Sequence, residues 1–463
     1  MYLKIILQLA EALGALSRLL GQGSGVMVAG RLILALAPNA VRTLAKGKRV
    51  ILISGTNGKS TTAKLIAQTL ATKHQIAHNH TGANLHPGIA QALGASPKCQ
   101  VAVLEVDELV LPWAIQMCDP ELVVLLNLGR DQLDRLSEVR IVAGKWRSAL
   151  QGHNSKRNLK VLASSDDPFV VFAAMGASEQ IWFSAGERGH IDAATCPVCG
   201  ALLNWSEDRA NFSCNCGFAK PEPDWQLIGD QLIDQNQGGK TQVRSAIPGQ
   251  AAIQNAARAL IVGSNFGIEL SESGDAISKV TSVDGRFAIK RIQDTNFRLL
   301  LSKNPASWRE TLQTSANGPS EVLLVVNANT QDGKDTSWLW DVDFQPLQGR
   351  RVLVSGDRRV DVSARLTVQG IAHQVVESEI AAANVFGASD ADLIASYTAF
   401  HRLAKNLDQN LDQNSDRNLP NLNLPKASMN QQLKKAEYEA SQASQTNKVK
   451  IVNLLPELLG TYG

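Results

Sequence analysis

Residues 47–62 read GKRVILISGTNGKSTT, and this stretch decides the fold of the surrounding chain. The apolar run at 50–53 is typical of a buried strand, a glycine-rich turn follows it, and residues 61–70 have a helical pattern. A strand, such a turn and a helix N-terminus predict a phosphate-binding loop, because backbone N–H groups and the helix dipole then face the anion. Ile53 stands where the full form of this loop has its first glycine. An ordinary tight turn is the alternative.

The spacing within the turn suggests roles for individual side chains. We expect the Lys59 ammonium to neutralise the β- and γ-phosphates of a nucleotide, and the Ser60 hydroxyl to bind Mg²⁺. The residues predicted to contact the nucleotide are Gly55, Thr56, Asn57, Gly58, Lys59, Ser60 and Thr61.

Composition excludes several classes of protein. The 463 residues suggest about two to four domains, and 44% hydrophobic residues supply a core. Lys and Arg exceed Asp and Glu by three, which is too balanced for a surface that coats nucleic acid. Six cysteines, four of them clustered, do not resemble the disulfide framework of a short secreted protein.

Residues 1–46 predict a helical lead-in. Apolar residues recur there in steps of three and four, which indicates an amphipathic helix. Glu11 and Arg18 argue against a signal peptide, and Arg31 breaks a second apolar stretch that would need about 20 residues to span a membrane. We therefore expect a cytoplasmic chain. The helix either packs only on its own protein or also touches the inner face of the membrane.

The loop GTNGKST resembles that of the Mur ligase superfamily, the ATP-dependent amide-forming enzymes of peptidoglycan and folylpolyglutamate synthesis. The resemblance implies ATP, Mg²⁺ and activation of a carboxylate as an acyl phosphate, which an amine then attacks. Glu105 ends a second apolar strand, 101–105, and occupies the place of the superfamily's metal-binding glutamate. An acidic strand end is otherwise often only a solvated edge. Residues 127–134 resemble a further superfamily segment, although Gln132 replaces its usual histidine.

The resemblance continues toward the C-terminus in the superfamily's order. Residues 164–168, SSDDP, fit a turn that follows a strand in these ligases. Asn255 matches the asparagine near the adenine, where a buried helix cap is the alternative, and Ala252 replaces the preceding asparagine. Arg286 lies in a Gly-Arg turn that ends the central ATPase domain, which implies a phosphate contact.

The short segment before the loop narrows the choice of branch. Superfamily members that act on UDP-linked precursors carry a uridine-binding domain of about 100 residues there, and about 50 residues are too few for its βαβ units. Two branches fit this truncation: the folylpolyglutamate synthases, and the MurT-type ligases, which are the ligase subunits of lipid II isoglutaminyl synthases.

Four cysteines favour the MurT-type branch. Their pattern, C-x2-C-x14-C-x-C with glycines beside the pairs, predicts a structural zinc ribbon at about 193–220, since four thiolates close a tetrahedral site. An iron–sulfur centre and a disulfide pair are alternatives. MurT-type ligases carry such a ribbon and folylpolyglutamate synthases do not. The predicted zinc ligands are Cys196, Cys199, Cys214 and Cys216.

Residues 332–338, DGKDTSW, resemble a motif of the MurT C-terminal domain. A simple Asp-Gly turn accounts for Asp332 and Gly333 but not for the whole run. The resemblance implies that Asp335 completes a Cys-His-Asp triad whose Cys and His lie on a separate glutaminase subunit, GatD. Neither Cys99 nor Cys118 lies in a turn of the kind that activates a glutaminase nucleophile, so ammonia derived from glutamine would require that second chain.

The expected fold is α/β. It comprises the lead-in, a Mur-ligase central P-loop ATPase domain at 47–287 with the ribbon inserted, and a Rossmann-like α/β C-terminal domain at 288–463. Within the last domain, the polar tract 405–447 is expected to be flexible because it buries little apolar area.

The expected function is ATP-dependent amidation of the D-glutamate α-carboxylate in the lipid II stem peptide, with ammonia from a GatD-type partner in a heterodimer. One alternative is a folylpolyglutamate-synthase-like ligase that adds glutamate. The other is a non-catalytic zinc-ribbon interaction protein with a degenerate nucleotide site.

Overall fold

The structure is a computed structural model that describes residues 2–20, 24–129, 139–153, 159–189, 193–283, 287–329 and 332–404. The predicted phosphate contact Arg286, the segment around Gln132 and the tract 405–447 lie outside the described residues. In the described chain no helix is both long and apolar enough to cross a membrane.

The first part of the chain builds a nine-stranded sheet and its helices. The helices are α1 (Tyr2–Leu19), α2 (Val26–Leu36), α3 (Ala40–Ala45), α4 (Lys59–Leu70), α5 (His86–Ala95), α6 (Leu111–Cys118), α7 (Val139–Gln151), α8 (Pro168–Ala174), α9 (Gln250–Asn265) and α10 (Leu270–Ser278). The strands are β1 (Arg49–Ser54), β2 (Ile76–His78), β3 (Val101–Glu105), β4 (Leu122–Leu125), β5 (Lys160–Ser164), β6 (Glu179–Ser184), β7 (Asn204–Trp205), β8 (Phe212–Ser213), β9 (Trp225–Ile228), β10 (Gln231–Asp234) and β11 (Lys240–Gln242).

The large sheet has the order β11-β10-β9-β6-β5-β4-β1-β3-β2. The strands from β9 to β2 pair in parallel, whereas β9, β10 and β11 pair antiparallel. Strand β1 lies in the interior of this sheet and is covered on both faces, which explains its continuous apolar run. Ile51 and Ile53 belong to the core beneath α4 and α9, and Val50 and Leu52 to the core beneath α5, α6 and the lead-in.

The rest of the described chain builds a second sheet. Its strands are β12 (Phe287–Ile292), β13 (Thr295–Leu301), β14 (Glu321–Val325), β15 (Arg351–Ser355), β16 (His373–Val375) and β17 (Asp390–Ala395). Its helices are α11 (Pro305–Ala316), α12 (Arg359–Val368) and α13 (Glu379–Phe386), with 3-10 turns at Ser337–Asp341 and Gln345–Leu347. The strand order is β12-β13-β17-β14-β15-β16, parallel except for the pairing of β12 with β13.

The expected α/β class with parallel sheets is therefore confirmed. The predicted domain boundaries stay predictions; Phe287, the last residue of the predicted central domain, is the first residue of β12. One hydrophobic core continues from the large sheet into the second, since it includes both Leu260 of α9 and Trp308 of α11.

Candidate active site

The glycine-rich turn lies between β1 and α4, at the carboxyl end of the parallel strands. Gly58 has a φ of +86°, and Gly55 one of +147°, both in the region that favours glycine. A Cβ on Gly55 would lie 2.9 Å from the Cβ of Leu126, and one on Gly58 would lie 3.0 Å from Oδ1 of Asn255. The turn therefore requires glycine at both positions, for conformation as well as space.

Lys59 is buried at the first position of α4. Its Nζ donates to the carbonyl oxygens of Gly55 (2.5 Å) and Thr56 (3.3 Å), and it forms an ion pair with Oε1 of Glu108 at 3.2 Å. The ammonium is thus held inside the turn by its own backbone. Glu108 lies three residues beyond the end of β3, in the group of carboxylates that follows this strand, and its pairing with Lys59 was not predicted from the sequence.

A neighbouring strand end fixes the shape of the turn. Asn127, which follows β4, accepts a hydrogen bond from the N–H of Asn57 at 2.9 Å and donates to the carbonyl of Asn57 at 3.1 Å. The hydroxyl of Thr56 donates to the carbonyl of Gly129 and accepts from its N–H, both at 3.0 Å. These reciprocal bonds hold the turn rigidly against the next βα connection.

Glu105 ends β3 directly beside β1, where it pairs with Ile53. Asn79 bridges its backbone, and Nδ2 of Asn84 donates to its Oε1 at 3.1 Å. Its other oxygen, Oε2, and Oγ of Ser60 are each 3.9 Å from the point that a Cβ on Gly82 would occupy. Glu105 and Ser60 thus face a common space, and a carboxylate with a hydroxyl is a donor set that suits Mg²⁺.

Asn255 lies on α9 against the glycine-rich turn. Its Oδ1 accepts a hydrogen bond from the Thr62 hydroxyl at 3.1 Å, which joins α9 to α4. Thr61 lies in the first turn of α4 and is partly exposed. The structure therefore brings together the loop, Ser60, Glu105 and Asn255.

The second sheet also reaches this turn. Asn304 caps the N-terminus of α11 by accepting from the N–H of Ser307 at 2.9 Å, and its Nδ2 donates to Oδ1 of Asn57 at 3.4 Å. The Asn-Pro pair at 304–305 is a helix-start signal, so the cap was accessible from the sequence. Its contact with the loop was not, because nothing local specifies it.

A buried ionic cluster lies one turn further along α9, around Arg258. The guanidinium of Arg258 lies 4.8 Å from the ring centre of Phe183. Burial lowers the pKa of Arg258, and the negative charges of Glu187 and Asp166 offset this lowering only in part. Burial raises the pKa of Glu187, and the positive charge of Arg258 opposes this change. Asp166 itself pairs with Lys220 at 2.7 Å.

The four predicted zinc ligands form one cluster. The Sγ atoms of Cys196, Cys199, Cys214 and Cys216 all lie within 4.8 Å of one another. The backbone N–H of Ala201 and the thiol of Cys214 lower the pKa of Cys199 to about 7, which favours the thiolate. The arrangement of four thiols is compatible with a closed tetrahedral zinc site.

Around the cysteine cluster the ribbon is small. It contains the two-stranded sheet of β7 and β8 and a minor core that includes Phe212 and Phe218, whose rings stack at 5.6 Å. Lys220, at its exit, forms the ion pair with Asp166 between β5 and α8. This pair ties the ribbon to the corner of the large sheet.

Asp335 lies far along the chain from the loop, in the turn after β14. It is exposed, and its Oδ1 accepts from the N–H of Ser337 at 2.8 Å. The backbone N–H and the hydroxyl of Ser337 lower the pKa of Asp335 and keep it ionised. The structure therefore presents this carboxylate at the surface. The hydrogen bond to Ser337 that orients it does not involve the glycine-rich turn.

Asp332, three residues earlier, is buried and supports that turn. Its Oδ1 accepts from the N–H of Thr398 at 2.8 Å, and its Oδ2 accepts from the Thr398 hydroxyl at 2.5 Å. Asn329 donates to the same carboxylate through its N–H at 3.1 Å. The sequence identifies Asp332 only as a turn residue. Its partner Thr398 lies just beyond β17 and becomes apparent only in the folded chain.

Comparison with known proteins identifies two regions. Residues 53–263 match the Mur ligase middle domain, and residues 301–400 match the MurT ligase C-terminal family. Among solved structures, a pseudomurein peptide ligase type C from Methanothermus fervidus superposes with a TM-score of 0.60 at 17% identity, covering 79% of each chain. At this identity the likeness concerns the fold.

Two curated relatives share the name lipid II isoglutaminyl synthase (glutamine-hydrolyzing) subunit MurT. The protein of Staphylococcus aureus (strain COL) is 29% identical over 348 residues, which are 68% of this chain and 76% of the relative. The protein of Streptococcus pneumoniae (strain ATCC BAA-255 / R6) is 27% identical over 386 residues, which are 77% of this chain and 84% of the relative.

Proposed function

The chain belongs to the Mur ligase superfamily of ATP-dependent ligases and carries a MurT-type C-terminal domain, and from this premise we propose that it is the ligase subunit of a lipid II isoglutaminyl synthase. Its reaction is the ATP-dependent amidation of the D-glutamate α-carboxylate in the lipid II stem peptide. The observation that carries the proposal is the space faced by Ser60 and Glu105 beside the phosphate-binding turn.

The loop would bind the triphosphate of ATP through its backbone N–H groups and through Lys59, whose ammonium points into the turn. Ser60 and Glu105 would hold Mg²⁺, which neutralises the charge of the transferred phosphoryl group. Asn84 fixes Glu105 by donating to one oxygen, so the other oxygen keeps its orientation. Asn255 would lie beside the adenine.

Two bonds are exchanged in the proposed reaction. A carboxylate oxygen of the substrate bonds to the γ-phosphorus while the bond from that phosphorus to ADP breaks, which gives an acyl phosphate. Ammonia then attacks the acyl carbon, phosphate leaves with the bridging oxygen, and the proton that nitrogen loses passes to phosphate or water. The rigid turn would position the γ-phosphate for attack by the substrate carboxylate. Such positioning supplies much of the rate enhancement in phosphoryl transfer.

The glutaminase step would belong to a second polypeptide of the GatD type. Within the described residues the two cysteines outside the cluster, Cys99 and Cys118, are buried. Burial raises the pKa of Cys118 to about 12, which keeps its thiol protonated and a poor nucleophile. The exposed, ionised Asp335 would orient the histidine of the partner's Cys-His pair. Four thiolates of the ribbon would hold a structural zinc ion.

The test compares two sources of nitrogen with the purified chain, lipid II, ATP and Mg²⁺. With ammonium alone, the chain should form ADP and the amidated product, and with glutamine it should do so only after a GatD-type subunit is added. Lys59→Ala should lower both rates by about 10²-fold or more, because the phosphate loses its cation. Asp335→Asn should lower only the glutamine-driven rate, by a similar factor.

Two matched variants serve as controls. Lys64→Ala changes another lysine of α4, and Asp341→Asn changes an exposed carboxylate of the same segment; neither should alter the rates by more than about twofold. Equal loss of both reactions in Asp335→Asn would assign Asp335 to the ligase site instead. Extension of folate with glutamate by the chain alone would favour the folylpolyglutamate-synthase alternative. Absence of ATP turnover with all substrates present would favour the interaction protein.

A further inference from the structure

The outer side of α1 presents large apolar side chains to solvent. Their spacing of three, four and seven residues places them on one side of the helix. These side chains, each 50–85% exposed, are Tyr2, Ile5, Leu9, Leu16 and Leu19. The side that packs against the protein consists of Ile6, Ala10, Gly14 and Ser17. A helix that is already packed on one side thus carries a second, exposed apolar side, which we call the outer face of α1.

The charge of the lead-in is distinct from that of the whole chain. Residues 1–46 contain five basic residues and one acidic residue, whereas the net charge of the entire chain is only +3. The remainder of the chain is therefore close to neutral. Lys4 is exposed at the edge of the outer face, and Glu11 and Arg18 are exposed on the same side of α1 as Lys4, at spacings of seven residues. Positive charge at the edges of an apolar helix face complements an anionic lipid surface.

The lead-in is firmly attached to the proposed catalytic region. Helix α1 packs on α2, and α2 packs on α5. The contact of α2 with α5 is so close that a Cβ on Gly30 would lie 1.9 Å from the carbonyl oxygen of Pro87. Helix α5 begins two residues after Asn84, which binds Glu105. A partner that binds the outer face of α1 would therefore also hold the strand ends around Glu105 close to itself.

We propose that the outer face of α1 docks on the surface of an anionic lipid bilayer, with the helix lying along the interface. The apolar side chains of the outer face would enter the boundary between headgroups and acyl chains, and Lys4 at the edge of this face would meet lipid phosphates. The helix has 18 residues and is not apolar enough to cross a membrane, so it lies on the bilayer rather than spanning it. A surface-bound ligase would meet a lipid-linked substrate where that substrate is anchored.

The test measures binding of the full chain to vesicles of phosphatidylcholine with and without phosphatidylglycerol, in the absence of ATP and lipid II. The unmodified chain should bind the anionic vesicles and bind more weakly as salt rises. The triple variant Ile5→Glu/Leu9→Glu/Leu16→Glu should bind about tenfold or more weakly, since it places charge in the apolar boundary. Its thermal unfolding should stay close to that of the unmodified chain.

The matched control is Ile289→Glu/Val360→Glu/Val368→Glu, which makes the same charge change at side chains that are 66–71% exposed elsewhere. Binding retained by this control and lost by the α1 variant supports the proposal. Equal loss in both variants, or no binding by the unmodified chain, overturns it. Self-association that only the α1 variant abolishes, without vesicle binding, assigns the face to a second copy of the chain. Because no substrate is present, failure here leaves the proposed ligase activity intact.

Discussion

Glu310 lies on α11, at the junction of the two sheets. Burial and the nearby carboxylate of Glu187 raise its pKa to about 7, and the N–H of Ala251, which bonds to it, opposes this only in part. Two carboxylates in a poorly solvated place cannot both ionise without a cost in free energy. Glu310 lies on α11, which packs with the second sheet, and Glu187 follows β6 of the first sheet. The junction therefore carries a pH-sensitive repulsion.

Replacing Glu310 with glutamine should remove this sensitivity. The folded state binds the proton of Glu310 more tightly than the unfolded state, whose pKa is near 4.5. The free energy of unfolding therefore falls as pH rises from about 4.5 to about 7 and is fully reduced above that range. Glu310→Gln should gain about 1–2 kcal/mol over the unmodified chain at about pH 8 and little at about pH 4.5.

Urea unfolding at these two pH values measures the difference. Glu207→Gln, at an exposed position in the ribbon, makes the same chemical change and should shift neither value by more than about 0.5 kcal/mol. Parallel pH profiles for the unmodified chain and Glu310→Gln would contradict the assignment of the repulsion to Glu310.

The sequence predicted side-chain roles that are encoded locally and missed those created by packing. Lys59 and Ser60 follow from the turn itself, because the spacing of a loop fixes where its side chains point. The contacts of Asn304 with Asn57 and of Thr398 with Asp332 join residues more than 60 positions apart. No periodicity or turn chemistry specifies such pairs, so only the folded chain identifies them.

At the scale of elements, the ribbon is the part whose stability should depend most on a metal. Its two-stranded sheet and small aromatic core bury too little apolar area to fold independently, and small domains of this kind gain their stability from bound zinc. Removing zinc with a chelator should raise hydrogen exchange in 193–220 by about tenfold or more, while β1 and β3 stay protected.

A pair of cysteine variants makes the prediction specific. Cys216→Ser removes one exposed thiol of the proposed zinc site. It should lower the zinc content of the purified protein, with the same local rise in hydrogen exchange. Cys118→Ser changes a buried thiol outside the cluster and should leave the zinc content unchanged. Zinc retained in full by Cys216→Ser, or exchange that rises across the whole large sheet, would show that the cluster does not act as a local metal clamp.

Elements with apolar runs were predictable, and edge elements were not. Strands β1, β3 and β4 are covered on both faces, so their runs of apolar residues are visible in the sequence. Strands β9, β10 and β11 extend the sheet by antiparallel pairing at its edge, and they mix polar with apolar residues. Such short edge strands depend on their neighbours for pairing, and their own residues give little signal.

For the whole molecule, the contact between the two sheets bears on the proposed nucleotide site. The ring centre of Trp308 on α11 lies 6.1 Å from that of Trp338 and 5.8 Å from that of Phe344. These rings continue the core shared with the large sheet. At the N-terminus of the same helix, Asn304 bonds to Asn57 in the phosphate-binding turn. A residue at the edge of the second sheet therefore contacts the proposed nucleotide loop directly.

Two substitutions at Asn304 separate its cap from its contact with the loop. Serine at this position still accepts from the N–H of residue 307 but is too short to reach Asn57, so Asn304→Ser should keep the stability of α11 within about 0.5 kcal/mol. It should weaken ADP binding about threefold to tenfold, because the turn loses a support from the second sheet. Asn304→Ala loses the cap as well and should also unfold more easily by about 1 kcal/mol. Calorimetric titration with ADP and thermal unfolding distinguish these effects. If Asn304→Ser binds ADP as tightly as the unmodified chain, the contact with Asn57 does not couple the second sheet to the nucleotide.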